Sequence, residues 1–254
     1  MNYAFMWAID TYQYVPARLQ GCVNDILAAK SVTKFTTTTK TNSTATKANI
    51  LAGMNSLVTK AKSGDHLLFV ESGHGTKVAD VNGDELEGFD ECFVPYDAID
   101  YRGRVNFSNL IKDDEIAAIL AQVKYGVSVD FVCDSCYSGS ATRGLDFLKW
   151  TPRVIPGPLA KGRKAKRAIS VIDGINHCAW EACTDMQTAA EGTVNGVHRG
   201  LFSYMFWNAI NEFRSTKTRA EIYEIVKANV VAMRSNQTPV LECSQSESLE
   251  LPFV

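Results

Sequence analysis

Unbroken apolar runs alternate along this chain with segments whose apolar residues recur every three to four positions. HLLFVES and VSVDFVCD are apolar on both alternating faces, the pattern of strands covered on each side by helices. A third such run, AFMWAID, places a strand at 3–10, and the same reading puts strands at 127–134, 168–173, 178–184 and 238–243, with a short one near 33–37. Helical periodicity marks 21–34, 47–62, 113–125, 200–213 and 218–233. Strands alternating with helices predict an α/β fold: a mostly parallel central sheet of the doubly wound kind, with helices on both faces.

The intervening segments are polar. TTTTKTNSTATK reads as a loop or sheet edge, and 76–91, rich in Asp, Glu and Gly, as a surface loop before CFVPYD returns to the sheet. The run TPRVIPGPLAKGRKAKR carries three prolines and five basic residues in its last seven positions, a composition unsuited to a core. The stretch 146–167 is expected to be a mobile loop within a single domain spanning 1–254.

With 254 residues, 46% of them hydrophobic, the chain can bury a full core, and a formal charge of −2 gives no sign of nucleic-acid binding. No stretch reaches the roughly 20 apolar residues of a membrane span, and MNYAFMWAID lacks the basic start of a signal peptide. Seven cysteines without regular spacing fit reduced thiols, so a cytoplasmic monomer is expected. Cys133 and Cys136 form a lone C-x-x-C with no second pair or nearby His to complete a zinc site. Cys183 and Cys243 read as core residues, and His66 as a half-exposed strand-start residue. His177 and His198 precede a strand and a helix and lack the glycine setting of a catalytic imidazole.

The chemistry is concentrated where two strands end. One run closes on Ser72-Gly73-His74-Gly75, the other on Asp134-Ser135-Cys136-Tyr137. Both lift a reactive side chain onto the carboxyl edge of the sheet, where open α/β folds place their sites. A thiol of ordinary pKa is mostly protonated at neutral pH, and an imidazole beside it both favours the thiolate and protonates a leaving amine. The pairing of His74 with Cys136 is that of a cysteine hydrolase, with the N–H groups of Gly75 and Cys136 available as an oxyanion hole.

These motifs, SGHG, the acidic DVNGDELEGFDE and DSCYSG, resemble those of the caspase-fold cysteine peptidases, specifically the metacaspases and orthocaspases. LQGCVND, EACTDMQTAAE, GLFSYMFWNAI and the terminal QTPVLECS extend the resemblance nearly end to end. It implies a caspase-like fold and an endopeptidase, with Cys22, Asp25, Ser72 and Asp134 lining the pocket for the residue before the cut bond. An acidic pocket selects Arg or Lys, so the expected partners are proteins or peptides with a basic residue at that position. Asp90, Asp113 and Asp114 match calcium-ligand positions of calcium-dependent members. Arg143 stands at the fourth acidic position as a built-in counter-charge, and no metal or other cofactor is expected. Tyr137 replaces the His that often follows the nucleophile.

Two further readings stay open at this level: a caspase-fold scaffold that binds peptides without cleaving them, and a non-proteolytic thiol hydrolase or transferase. A chain of this specificity also offers itself a target at Lys161, Arg163, Lys164, Lys166 and Arg167.

Overall fold

The computed structural model describes residues 1–79, 89–137, 150–156, 176–184 and 187–253. In chain order, the strands of the main sheet are β1 (Asn2–Ala8), β2 (Thr36–Thr41), β3 (His66–Ser72), β7 (Ser128–Asp134), β9 (Asn176–Glu181) and β12 (Val240–Glu242). They lie in the order β12-β9-β7-β3-β1-β2, parallel throughout except for the antiparallel edge strand β12. β3 is buried along its whole length, as a central strand covered on both faces should be. β2, TTTTKT, keeps the β-branched residues that suit a strand but presents hydroxyls and a lysine at the open edge, which discourages further pairing.

The helices are α1 (Cys22–Thr33), α2 (Lys47–Lys60), α3 (Asp113–Leu120), α4 (Leu201–Phe213), α5 (Arg219–Met233) and the short α6 (Gln245–Ser248). Their starts are written locally. Thr46 caps α2 through Asn49 N–H, and Thr218 with Glu221 forms a capping box at α5. α1 lacks a side-chain cap of its own. Asp10, in the loop after β1, accepts from the amides of Cys22 (2.8 Å) and Val23 (3.1 Å) instead.

Several elements depart from the expected ones. CFVPYD does not return to the central sheet. β4 (Gly75–Ala79), β5 (Phe89–Phe93) and β6 (Ile111–Lys112) form a separate antiparallel sheet, so the anticipated 76–91 loop is strand at both ends. This sheet is fastened to the main one by Trp7, whose ring meets Phe93 and Phe131 edge-on at 5.9 and 5.8 Å. A third small sheet joins β8 (Thr151–Pro152) to the hairpin of β10 (Ala190–Val194) and β11 (Val197–Gly200). The hairpin turns on Asn195-Gly196, both at positive φ, the dipeptide favoured for a two-residue turn.

The strand near 33–37 begins later, after Lys34 closes α1 in the left-handed region, and α3 stops at Leu120, short of the turn at Gly126. His66 is buried, not half-exposed: its Nε2 lies 2.7 Å from Asp130 Oδ2. Asp130 also accepts from Trp180 Nε1 and Arg219, so a buried charge network ties β3, β7, β9 and α5 together. His177 lies within β9, fully buried, and Cys243 is only half-buried. The expected strand at 168–173 and the residues Arg143, Lys161, Arg163, Lys164, Lys166 and Arg167 lie outside the described residues.

Candidate active site

Ser72 and Asp134 are register partners at the ends of the neighbouring parallel strands β3 and β7. His74 and Cys136 each follow two residues later, so two adjacent strands deliver the imidazole and the thiol side by side at the carboxyl edge. The turn at His74 is held by Tyr12: its hydroxyl accepts from His74 N–H at 3.1 Å and donates to Val94 O at 3.0 Å. Gly75 is required by proximity, since a Cβ there would run into the backbone carbonyl of Cys136.

His74 is 3% exposed, and its Nε2 lies 2.8 Å from the carbonyl oxygen of Ala17. A carbonyl only accepts, so Nε2 carries the proton and Nδ1 presents its lone pair. Among the described residues the buried Nδ1 has no hydrogen-bond partner, and the ring faces the Arg153 backbone. Burial pushes the His74 imidazolium down to about 4 against the raising effect of the Ala17 bond, leaving the ring a neutral base at pH 7.

The segment expected to stay on the surface enters this site. Arg153 is fully buried, and its guanidinium fills a pocket of carboxylates. Nη2 lies 2.6 Å from Asp25 Oδ2 and 3.2 Å from Glu191 Oε2, and Nη1 lies 3.0 Å from Asp134 Oδ2 and 2.9 Å from Ser72 Oγ. Charge overrides the loop-like composition here, because a buried guanidinium that satisfies buried acids is more stable in the pocket than they are without it. Three of the four expected lining residues, Asp25, Ser72 and Asp134, touch the guanidinium directly. Cys22 stands behind them, its thiol 3.9 Å from Glu191 Oε2. Burial raises the Asp25 carboxyl to about 7 even with Arg153 opposing the shift, and raises the Glu71 carboxyl, beneath the His74 turn, to about 8.

The pocket is braced by backbone. Asp134 Oδ2 accepts from Ser203 N–H at the start of α4, and Asp25 from Gly200 N–H. Gly200 also leaves the space that the guanidinium occupies, since a Cβ there would overlap Asp134 and Arg153. Glu191 accepts from the amides of Gln20 and Gly21 while holding Arg153. Sequence reasoning missed Glu191, Arg153 and the Ala17 carbonyl. The available signal for Glu191 was a lone acid in the small apolar run TAAEGTV, where a buried carboxylate demands a cation.

The chain belongs to the metacaspase family. The description "Metacaspase, peptidase C14 domain" matches residues 4–144. Curated relatives include Metacaspase-1 of Coccidioides immitis, 27% identical over 93% of this chain and 60% of its own length. Metacaspase-1 of Schizosaccharomyces pombe is 26% identical over 93% of this chain and 66% of its own. Metacaspase-7 of Arabidopsis thaliana is 36% identical over 50% of the chain and 32% of its own. The chain thus spans about 60–66% of the length of the two Metacaspase-1 proteins. A Geobacter sulfurreducens protein of known crystal structure shares the fold, with a TM-score of 0.71 over 100% of this chain and 98% of its own at 19% identity. No helix among the described residues is long and apolar enough to cross a membrane.

Calcium-dependent metacaspases imply a metal near Asp90, Asp113 and Asp114, and the residues here do not fit one. The ammonium of Lys112 is ion-paired with the fully buried Asp90 carboxylate, so a cation already stands where the metal charge would be. Arg143, the counter-charge expected from the sequence, lies outside the described residues, and among those described Lys112 is the cation on Asp90. Asp10, Cys22 and Glu191 also converge, but the two carboxylates are committed to the α1 amides, the Gln20 and Gly21 amides and Arg153.

Proposed function

We propose that this chain is a cysteine endopeptidase that cuts after Arg or Lys through an acyl-enzyme, with Cys136 as nucleophile and His74 as base and acid. The observation that carries the reading is a guanidinium held by Asp25, Asp134 and Glu191 while the carbonyl oxygen of the same residue lies 3.3 Å from Cys136 Sγ. Nδ1 of His74 takes the thiol proton, and Sγ attacks the carbonyl carbon. The oxygen charge that develops faces the N–H groups of Gly75 and Cys136, each already 3.3 Å from that oxygen in Arg153. On collapse, His74 returns the proton to the leaving amine, and water hydrolyses the thioester.

Specificity follows from charge. Three buried acids repel one another unless a cation joins them, and an acidic side chain would add a fourth negative group. Arg should exceed Lys, because the fork of Nη1 and Nη2 meets two sets of acceptors that a single ammonium cannot span. With Lys112 on Asp90, the reaction runs without calcium.

The test is a cleavage profile on peptide amides with Arg, Lys, Leu or Asp before the scissile bond, in EGTA. It uses wild type, Cys136→Ala and Arg153→Gln, the last of which removes the guanidinium from the pocket. Arg and Lys amides should be cut, Asp amides refused, and Cys136→Ala should be inert. A folded Arg153→Gln protein that hydrolyses none of them, or that prefers Asp, overturns the reading.

A further inference from the structure

The two sides of the carbonyl that faces Cys136 meet surroundings of opposite character. Before it, the Arg153 side chain is enclosed by Asp25, Asp134 and Glu191. After it, the chain turns from β10 to the His74 turn: Val154 bridges to Gly75, and Ile155 N–H donates to Gly75 O at 3.0 Å. Successive side chains of an extended segment point to opposite faces, so Val154 leaves on the face away from the guanidinium. There it stands half-buried in the wall of a cavity of about 510 Å³, a volume within the range of ligand sites.

Three stretches of chain build this cavity. The loop after β1 supplies Pro16, Ala17 and Leu19, and the loop between β5 and β6 supplies Ile99 and Val105. Val154, Ile155 and Pro156 close the third side. His74 stands in the same wall, and Ala17, which lines the cavity, holds the imidazole through its carbonyl at 2.8 Å. The cavity therefore borders the place where a leaving amine would part from the acyl group. Among the described residues no carboxylate lines it, and its one permanent charge is Arg18, whose Nε donates to Tyr12 O at 3.1 Å. A lysine or arginine entering here would lose water and meet a like charge, whereas a large apolar side chain gains by leaving water.

We infer that this cavity is a second specificity subsite, which selects a large apolar residue, aromatic above aliphatic, immediately after the cut bond. An aromatic ring has the most area to bury, and the volume admits it. The enzyme then reads a junction between a basic and an apolar residue, with acids on one side of the bond and none on the other.

The inference rests on the proposed peptidase reading, and the experiment separates the two. Internally quenched peptides Thr-Pro-Arg-X, with X as Gly, Val, Phe, Trp or Lys, are given to wild type and to Arg153→Gln, each with and without Val105→Trp. A primary Arg amide, whose leaving group is ammonia and leaves the cavity empty, serves as reference. With Val105 intact, kcat/KM should rise at least about tenfold from Gly to Phe or Trp, with Val between and Lys no better than Gly. Val105→Trp places an indole in the cavity and should erase the Phe and Trp gain, while the primary amide stays within about twofold. Cleavage indifferent to X overturns the inference while the peptidase reading stands. So does a Phe and Trp gain that survives Val105→Trp, or a loss that falls equally on the primary amide. If no protein cuts any of these substrates, both fail.

Discussion

His74 donates through Nε2 to the carbonyl oxygen of Ala17 at 2.8 Å, and that one bond leaves Nδ1 as the uncommitted nitrogen of the imidazole. With Nε2 committed, only Nδ1 is left to accept the thiol proton in the proposed dyad, in which base and nucleophile would act as one unit. Cys136→Ala and His74→Ala should each lower kcat by at least about a thousandfold, and the double variant should be little worse than either single one. Steady-state kinetics on an Arg amide gives the answer. Additive losses, or an active Cys136→Ala, would sink the dyad.

The pH dependence should report the pocket before the dyad. Asp25 must be ionised to hold a guanidinium, and burial sets its carboxyl at about 7, whereas His74 protonates only near 4. As pH falls from 8 to 5, kcat/KM for an Arg amide should drop about tenfold per unit below the Asp25 midpoint, with His74 still neutral. Release of Arg153 removes the guanidinium that opposes the shift, so in an emptied pocket that midpoint moves up from 7. Asp25→Asn should bind Arg substrates less well but give a flat profile from 5 to 8. A profile unchanged by this substitution would assign the limb to another group.

Glu191 meets the guanidinium at 3.2 Å, beside Asp25 at 2.6 Å and Asp134 at 3.0 Å, and Gly200 makes the room for it. Glu191→Gln and Asp134→Asn should each reduce kcat/KM for Arg amides by about 2–4 kcal/mol, the scale of breaking a desolvated charge pair. Gly200→Ala should do at least as much by filling the pocket, while circular dichroism stays native. Indifference of Arg-amide hydrolysis to all three would remove the pocket from the mechanism.

The legible and illegible parts of this chain divide on physical grounds. β1, β3 and β7 announce themselves because strands buried on both faces must be apolar throughout, and His74 and Cys136 stand out against glycine turns at their ends. Asp25, Ser72 and Asp134 were expected from family resemblance, and the fold gathers them on one guanidinium. Arg153 was not legible. Prolines and nearby lysines mark 146–167 as surface, and nothing local tells that one arginine of that run meets three acids gathered from α1, β7 and β10. His66 was misplaced for the same reason, since its partner Asp130 is 64 residues away. The β4–β5 pair was hidden because strong acidic and glycine content in 80–88 outweighed the short strands flanking it.

The Asp130 network should govern stability without touching catalysis. Burial opposes its charge, yet Arg219 and His66 outweigh that cost and hold the carboxyl well below the usual carboxylate range. A folded pKa below the unfolded one adds stability that is present above about pH 4 and lost as pH falls through the folded value. Asp130→Ala should destabilise by about 3–5 kcal/mol, because Arg219 is left buried without its main partner. Asp130→Asn should cost less and blunt the acid unfolding step. Denaturant titrations at pH 7 and pH 3 measure both, and equal stability of wild type and Asp130→Ala at pH 7 would show the network to be incidental.

Lys112 gives the calcium question a sharp form. Its ammonium meets the Asp90 carboxylate at the end of β6, and that pairing raises the lysine pKa above its ordinary value, so the cation is present at neutral pH. A calcium ion would have to displace it and find six to eight oxygens around a site that already carries a positive charge. Hydrolysis of Arg amides by wild type should therefore be the same in EGTA and in millimolar calcium. In Lys112→Ala the buried Asp90 loses its counter-ion, which should cost about 1–3 kcal/mol of stability. Calcium should restore part of that loss if Asp90, Asp113 and Asp114 then gather as ligands. Thermal melts of wild type and Lys112→Ala with and without calcium separate the cases. Silencing of the wild type by EGTA, with recovery on adding calcium, would mean that the lysine yields to the metal in solution.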